Sequence, residues 1–221
     1  MHHLKTLWWK IKPTHDTSQS GEGVIINHLI SEYSCEQFLV DVGAHDGTSL
    51  SNSYPLVKAG WRAILIEPNP VVFAKLQKAY SGRSDVTCLQ IACSNSSGYT
   101  DLFFGSDGEN GFFSTLCRDE NQWFSKARSQ SSTRIRTETL TNILSQYKAP
   151  SAFGLLLVDT EGFDFEVLDG LDFSQFRPRI IVTEEYEWDI DKHAAKYSLL
   201  VKNRYSLVQK IGFNTIWLDR S

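Results

Sequence analysis

The chain has 221 residues, a formal net charge of -4 and a pI near 5.9, so no global basic field argues for nucleic acid. Hydrophobic residues make up 41% and charged residues 22%, which suits one domain with a full core and excludes a disordered or fibrous chain. The four cysteines, Cys35, Cys88, Cys93 and Cys117, show neither a CxxC pair nor zinc spacing and read as reduced thiols of a cytoplasmic protein.

No stretch approaches the ~18 apolar residues of a membrane span. Residues 1–12 lack the long apolar core of a signal peptide. The expected division is an N-terminal arm over residues 1–17 and a single domain over 18–221. Within the arm, Leu4-Lys-Thr-Leu-Trp-Trp-Lys-Ile-Lys12 mixes apolar and basic residues. It suits contact with a membrane surface or a partner, or packing of Trp8 and Trp9 on the chain's own domain. Pro13 to Gly23 is polar and reads as a loop, and Val24–Tyr33 has the apolar spacing of a first helix.

Phe38-Leu-Val-Asp-Val-Gly-Ala-His-Asp-Gly-Thr48 is an apolar run that ends in Asp41 and turns through Gly43-x-x-x-Gly47. A second apolar run, Arg62–Ile66, ends in Glu67. Strand, glycine turn, helix and a second strand with a terminal acid make half of a nucleoside-binding α/β sheet. Gly43 and Gly47 allow dihedrals and a backbone approach that a Cβ would block. Asp41 stands at the carboxyl end of its strand, where such sheets bind ligands, and Glu67 is placed to accept from ribose hydroxyls. A dinucleotide site would want glycines where His45 and Thr48 stand. The ligand expected is therefore a nucleoside without a pyrophosphate, and S-adenosylmethionine fits. Tight packing alone is the other reading of such a turn.

Leu50–Ala59 reads as mostly helix shaped by Pro55, and Pro68-Asn-Pro70 starts the next helix, Val71–Tyr80. Val86–Ile91 is the third strand, and Tyr99–Phe104 a further one after a Ser/Asn/Gly turn. Residues 105–133 break the rhythm, with Phe112, Phe113, Trp123 and Phe124 set among Ser, Asn and Gly. This inserted loop is either a lid that binds the acceptor or a surface insertion whose aromatics cover a sheet edge. Ile135 begins a short extended piece, and Glu138–Tyr147 reads as a helix.

Phe153-Gly-Leu-Leu-Leu-Val-Asp159 is continuously apolar, as a central parallel strand should be. The turn Asp159-Thr-Glu161-Gly162 leads into a helix ending at Asp169. Ile180–Val182 is another buried strand, followed by Thr183, Glu184 and Glu185. After a helix over Ala194–Asn203, Tyr205–Ile211 and Thr215–Leu218 flank a closing hairpin turn. The order implies one mixed sheet, mostly parallel, with helices on both faces and an antiparallel edge. The strand ends near 41, 67, 92, 159 and 184 should share one crevice.

Asp159, Glu161 and Glu184 end two strands beside the nucleoside site. One of them could be the base that takes a proton from a hydroxyl during methyl transfer. Several could instead hold Mg²⁺ or Ca²⁺ through oxygen, or simply cap the next helix. His45 is expected to shape the glycine turn and contact the ligand. His193 has no constellation around it and reads as surface.

The motifs in order are Ser18-Gln-Ser-Gly-Glu22, Asp41-Val-Gly-Ala-His-Asp-Gly47, Leu50-Ser-Asn52, Ile66-Glu-Pro-Asn-Pro70, Ile91-Ala92, Val158-Asp-Thr-Glu-Gly162 and Ile181-Val-Thr-Glu184. Together they resemble an FkbM-type S-adenosylmethionine-dependent methyltransferase over residues 18–218, of the branch that opens with Ser-Gln-x-Gly-Glu. The resemblance implies the seven-stranded class I methyltransferase (Rossmann-like) sheet. It also implies transfer to a hydroxyl of a sugar, glycan or small hydroxylated metabolite. Asp41, Gly43, Gly47 and Glu67 would bind the cofactor, with Ala44, His45, Asn52 and Pro68 in the matched motifs and Ala92 near the adenine. Asp159, Glu161 and Glu184 would face the acceptor. Two positions depart from the family pattern: Gly23 follows Glu22 where an acid is usual, and His45 stands where Asn is usual. The competing classes are a non-catalytic S-adenosylmethionine-binding module acting through partners, and a nicotinamide oxidoreductase, which the missing glycines disfavour.

Overall fold

The structure is a computed structural model and describes residues 17–104, 114–116, 132–185 and 190–221. Trp8 and Trp9 of the arm, and Phe112, Phe113, Trp123 and Phe124 of the inserted loop, lie outside the described residues. In chain order the elements are α1 (Glu22–Glu32), β1 (Phe38–Val42), α2 (Tyr54–Lys58), β2 (Arg62–Ile66), α3 (Pro70–Ala79) and β3 (Val86–Leu89). Then come β4 (Ala92–Cys93), β5 (Gly98–Phe103), β6 (Ser132–Glu138), α4 (Leu140–Gln146), β7 (Ala152–Val158) and α5 (Asp164–Asp169). The chain closes with β8 (Arg177–Glu184), α6 (Ile190–Lys202), β9 (Tyr205–Ile211) and β10 (Asn214–Asp219). None of the described helices is long and apolar enough to cross a membrane.

The main sheet has seven strands in the order β3-β2-β1-β7-β8-β10-β9. β1 lies between β2 and β7, parallel to both, with Val40 opposite Ile64 and Leu156. β8 continues the parallel run, and β10 and β9 then add the antiparallel hairpin. Side chains alternate across the strands and so feed two cores. Val40, Val42, Leu156 and Val158 face Ile143 and Leu144 of α4, Leu168 of α5 and Leu200 of α6. Leu39, Leu155 and Leu157 face Ile26 and Leu29 of α1, Leu56 of α2 and Leu76 of α3. Each of these buried side chains contributes roughly 1.5–3 kcal/mol relative to exposure. This is the class I methyltransferase architecture, and it brings the carboxyl ends of β2, β1, β7 and β8 to one edge.

Three local expectations change. Only Tyr54–Lys58 of the 50–59 stretch is helical. The Asp46 carboxylate accepts from Thr48 N, Thr48 Oγ1, Ser49 N and Ser49 Oγ at 2.7–3.0 Å, which holds the preceding chain in a turn. Pro55 then sits in the first turn of α2, where its missing N–H costs nothing. The third strand ends at Leu89, not Ile91, because Ala92 and Cys93 leave the main sheet to pair with Thr137 and Glu138 of β6. The 98–103 and 132–138 strands pair antiparallel with each other. With β4 they form a separate three-stranded sheet rather than extending the main one. Its small core is Ala92, Leu102 and Ile135.

Candidate active site

The loop after β1 is held down by its own amides. Gly43 N and Ala44 N both donate to Ile66 O, at 2.9 and 3.0 Å, and His45 N donates to Glu67 Oε2 at 3.0 Å. These donors are turned into the protein, so the loop offers no cradle for a pyrophosphate, which needs amides turned outward. Gly43 has φ +87, and a Cβ there would lie 1.8 Å from the carbonyl oxygen of Asp159. The absence of a side chain is what lets the β1 and β7 turns meet. Gly47, the second glycine of the turn, is set against α3. A Cβ on it would meet Leu76 and Tyr80 at 2.5 Å, and Tyr80 Oη donates to its carbonyl at 2.7 Å.

The crevice has two halves that share Gly43, His45, Asp159 and Glu161. The first runs past Glu67 and Pro68 to an apolar shelf of Ile91, Ala92 and Cys93. Glu67 is buried, and its second oxygen accepts from Asn69 N at 2.8 Å. Each of its oxygens keeps acceptor capacity for a ribose hydroxyl. Burial pushes Glu67 up to about 7, and the nearby charges of Asp41 and Asp159 add to this. The second half holds Asp41, Ala44 and Asn52 on one side and Glu184 and Asn214 on the other. Asp41 is likewise raised to about 7 by burial, against a 2.5 Å hydrogen bond from Ser53 Oγ. Asn52 Oδ1 is buried with no hydrogen-bond partner among the described residues, an acceptor waiting for a donor.

Asp159, Glu161 and Glu184 converge, with one carboxylate oxygen from each lying within 4.8 Å of the others. Asp159 shows surface to the crevice, yet the protein around it still raises its pKa, chiefly by burial. Its carboxyl is hydrogen-bonded to that of Glu184. Two carboxyl groups can bond this way only with a proton between them, so the pair carries one negative charge rather than two. Glu184 is the member held far above the usual carboxylate range, by burial first and then by the Asp159 and Glu161 charges. Glu161 sits at φ +53, an uncommon left-handed conformation for a residue with a side chain. Its carbonyl accepts from Thr115 Oγ1 at 2.8 Å, which ties the turn to the inserted segment.

Behind the acids lies a layer that the sequence did not announce. Asp164, buried at the start of α5, accepts from Thr160 N at 3.0 Å, Thr160 Oγ1 at 2.6 Å and Glu184 N at 2.8 Å. It therefore bolts the β7 turn to the end of β8. Burial raises it to about 6, with Lys196 opposing. Lys196 Nζ is itself buried and donates to the Glu184 carbonyl. His193, expected on the surface, pairs through Nδ1 with buried Glu185 and stacks on Tyr197 at 4.4 Å. Tyr197 Oη donates to the same carboxylate at 2.8 Å. The i, i+3, i+4 spacing of His193, Lys196 and Tyr197 on α6 was the available signal, since it puts all three on one helix face.

The residues present fit S-adenosylmethionine. The apolar shelf suits an adenine, the Glu67 carboxylate a ribose, and Asn52 Oδ1 with Asp41 an ammonium group. So many raised acids in one crevice also favour a cationic ligand, which relieves their mutual repulsion.

Comparison with known proteins agrees with this geometry. No curated protein matches the chain in sequence. The precorrin-6y C5,15-methyltransferase of Geobacter metallireducens shares the fold at a TM-score of 0.50 and 11% identity, over 96% of this chain and 95% of that one. A putative caffeoyl-CoA O-methyltransferase from Staphylococcus aureus matches at a TM-score of 0.51 and 8% identity, over 90% and 82%. The family model for the methyltransferase FkbM domain matches residues 41–207, a span that runs from the Asp41 strand end through the Asp159, Glu161 and Glu184 cluster, and the chain belongs to that family of S-adenosylmethionine-dependent methyltransferases.

Proposed function

We propose that this methyltransferase acts on oxygen, and that its acceptor is a hydroxyl of a sugar, a glycan or a small hydroxylated metabolite. The observation that carries the reading is the convergence of Asp159, Glu161 and Glu184 at the edge of the nucleoside half of the crevice. An alcohol has a pKa far above 7 and hardly ionises unaided, so transfer to it needs a base, worth typically about 10²–10⁴ in rate. When bound, the cofactor supplies an electrophilic methyl on a sulfonium. The chain's part is to align the acceptor oxygen and to take its proton. Glu161 is the base in this reading, because Asp159 and Glu184 already share a proton. Asp41, Asn52 and Glu67 hold the two ends of the cofactor, and Ala92 lies under its ring. The same three acids offer oxygen ligands for Mg²⁺ or Ca²⁺, which would acidify a bound hydroxyl instead.

The test is a transfer assay with methyl-labelled cofactor against panels of sugars, phenols and peptides, with and without chelator. Label in an ether-linked methyl supports the reading. Label only on nitrogen or carbon overturns it. Cofactor binding without transfer to any class would favour a binding module that acts through partners. Loss of activity with chelator, restored by Mg²⁺ or Ca²⁺, would assign the acids to a cation.

A further inference from the structure

The Ser18-Gln-Ser-Gly-Glu22 signature precedes α1, and the fold carries it to the half of the crevice that holds Asp41, Asn52, Glu184 and Asn214. Its residues form a strap across the crevice mouth. At one end Thr17 Oγ1 donates to Ser51 O at 2.5 Å, in the loop that precedes α2. At the other end Glu22 is fully buried, and its Oε1 accepts from Asn214 Nδ2 at 2.6 Å, at the start of β10. Its Oε2 accepts from Ser20 N at 2.9 Å, so one carboxylate fastens the strap both to itself and to the hairpin.

The other members of the motif serve this shape. Ser18 Oγ accepts from Gly21 N at 3.1 Å, closing the turn. Gly21 has φ +91, which lets the chain reverse into α1. Ser20 lies so close to the hairpin that a Cβ on Gly212 would stand 2.2 Å from its Oγ. Gln19 is the one left over. It is exposed and lines the half of the crevice that holds Asp41, Asn52, Glu184 and Asn214, and its amide makes no hydrogen bond among the described residues. The Glu22 charge also raises the pKa of Asp159, so the latch lies near the acid cluster.

We propose that Gln19 is an acceptor-binding residue, and that the Glu22–Asn214 hydrogen bond is the latch that presents it. This rests on the oxygen-methylating reading of the same crevice. An amide carries two donors and an acceptor on one tip, which matches neighbouring hydroxyls that each donate and accept. The class selected is therefore a polyhydroxylated acceptor, with the sugar ring as its simplest member. Gln19 lines the half of the crevice away from Glu67 and the apolar shelf, so it stands clear of the places for the ribose and the adenine, and cofactor affinity should change little without it. Glu22 is a positioning residue and touches neither ligand.

The experiment uses the full chain with S-adenosylhomocysteine bound, and the methyl glycosides of glucose, galactose and rhamnose as probes. Saturation-transfer NMR reads glycoside contact, and calorimetry reads S-adenosylhomocysteine affinity. At least one glycoside should receive saturation from the wild type. Gln19→Ala, a change at an exposed position, should cut that signal at least about threefold, the size of one neutral hydrogen bond, and leave the dissociation constant within about twofold. Glu22→Gln leaves one acceptor for two donors, so an amide N–H must face either Asn214 Nδ2 or Ser20 N and one fastening of the strap is lost. This variant should lower the glycoside signal to the same degree and speed hydrogen exchange in the 17–22 strap. Adding Asn214→Asp supplies an acceptor again, and the double variant should recover both readouts. Equal glycoside signals from wild type and Gln19→Ala overturn the inference while the oxygen reading stands. A tenfold loss of S-adenosylhomocysteine affinity in Gln19→Ala overturns it too, by moving Gln19 to the cofactor. No signal from any glycoside with the wild type overturns the sugar reading and the inference with it. Failure of the double variant to recover either readout removes the latch.

Discussion

The cofactor residues and the acceptor residues of the crevice are assembled in different ways. The cofactor set spans both halves yet is local in sequence: Asp41, Gly43, Asn52, Glu67 and Pro68 come from one strand–turn–helix–strand unit, and Ala92 follows soon after. Its amides are spent on the Ile66 carbonyl and the Glu67 carboxylate, and its acids keep lone pairs for a ligand. The acceptor set is assembled from afar. Gln19, Glu161, Glu184 and Asn214 reach it from four separate stretches of chain, and Thr115 of a fifth holds the Glu161 carbonyl. A cofactor common to a family can be met by one rigid local unit. An acceptor that differs between relatives is better met by parts that can change independently.

That contrast can be broken most sharply at Glu161. Glu161→Gln keeps the size and the backbone of the turn and removes the base. Turnover should fall at least about a hundredfold in single-turnover transfer, with cofactor affinity little changed. A variant with wild-type turnover would return Glu161 to the role of a turn residue beside α5.

The cofactor set should fail differently. Glu67→Ala removes the ribose acceptor and unties His45 N and Asn69 N. Losing a charged hydrogen-bond partner costs about 1.5–3 kcal/mol, so affinity for S-adenosylmethionine should drop more than about tenfold by calorimetry. An unchanged dissociation constant would move the ribose elsewhere. Together the two variants separate chemistry from binding: Glu161→Gln should bind and not turn over, and Glu67→Ala should need more cofactor.

The same contrast explains what could be read from the sequence. Strand ends at Asp41, Glu67, Asp159 and Glu184 were legible because an apolar run ending in an acid marks a buried strand meeting a crevice. A mostly parallel sheet with an antiparallel edge followed from the alternation of strands and helices and the closing hairpin, and its seven strands from the family resemblance. The second sheet was not legible. β4 is two residues long, and its partner β6 lies some forty residues on, so no local period marks the pairing. The short α2 was misread as longer because apolar spacing continued while Asp46 captured the backbone ahead of it. Asp164, Lys196 and Glu185 were missed for a different reason. Their bonds cross between α5, α6 and the end of β8, and only tertiary contact reveals that. Gly47 shows the reverse case, a motif residue whose position in the fold is explained by packing on Leu76 and Tyr80.

The gentlest test reads both halves through their acids. Asp41 and Glu67 are raised to about 7 and Asp164 to about 6, each chiefly by burial. A raised folded pKa means the native state holds the proton more tightly than the unfolded chain. The resulting stability is complete below the ordinary carboxylate range and is lost as pH climbs from about 4 to about 7. Asp46 works the other way. Its hydrogen bonds hold it near 2, so its contribution is present above about 4 and fades as the pH falls toward 2. The ligand-free protein should therefore be most stable on the acid side of neutrality, near pH 4–5, and melt progressively lower toward pH 8. In a domain of this size about 1 kcal/mol shifts Tm by roughly 2–4 °C, so the trend is measurable by thermal melts across that range. S-adenosylmethionine brings positive charge to the ionised acids, so its increment in Tm should be larger at pH 8 than at pH 5. Asp41→Asn should flatten the ligand-free decline by removing one raised acid. A Tm that rises steadily from pH 5 to pH 8 without ligand would mean that the crevice acids are solvated, and that the charge argument for a cationic cofactor fails with them.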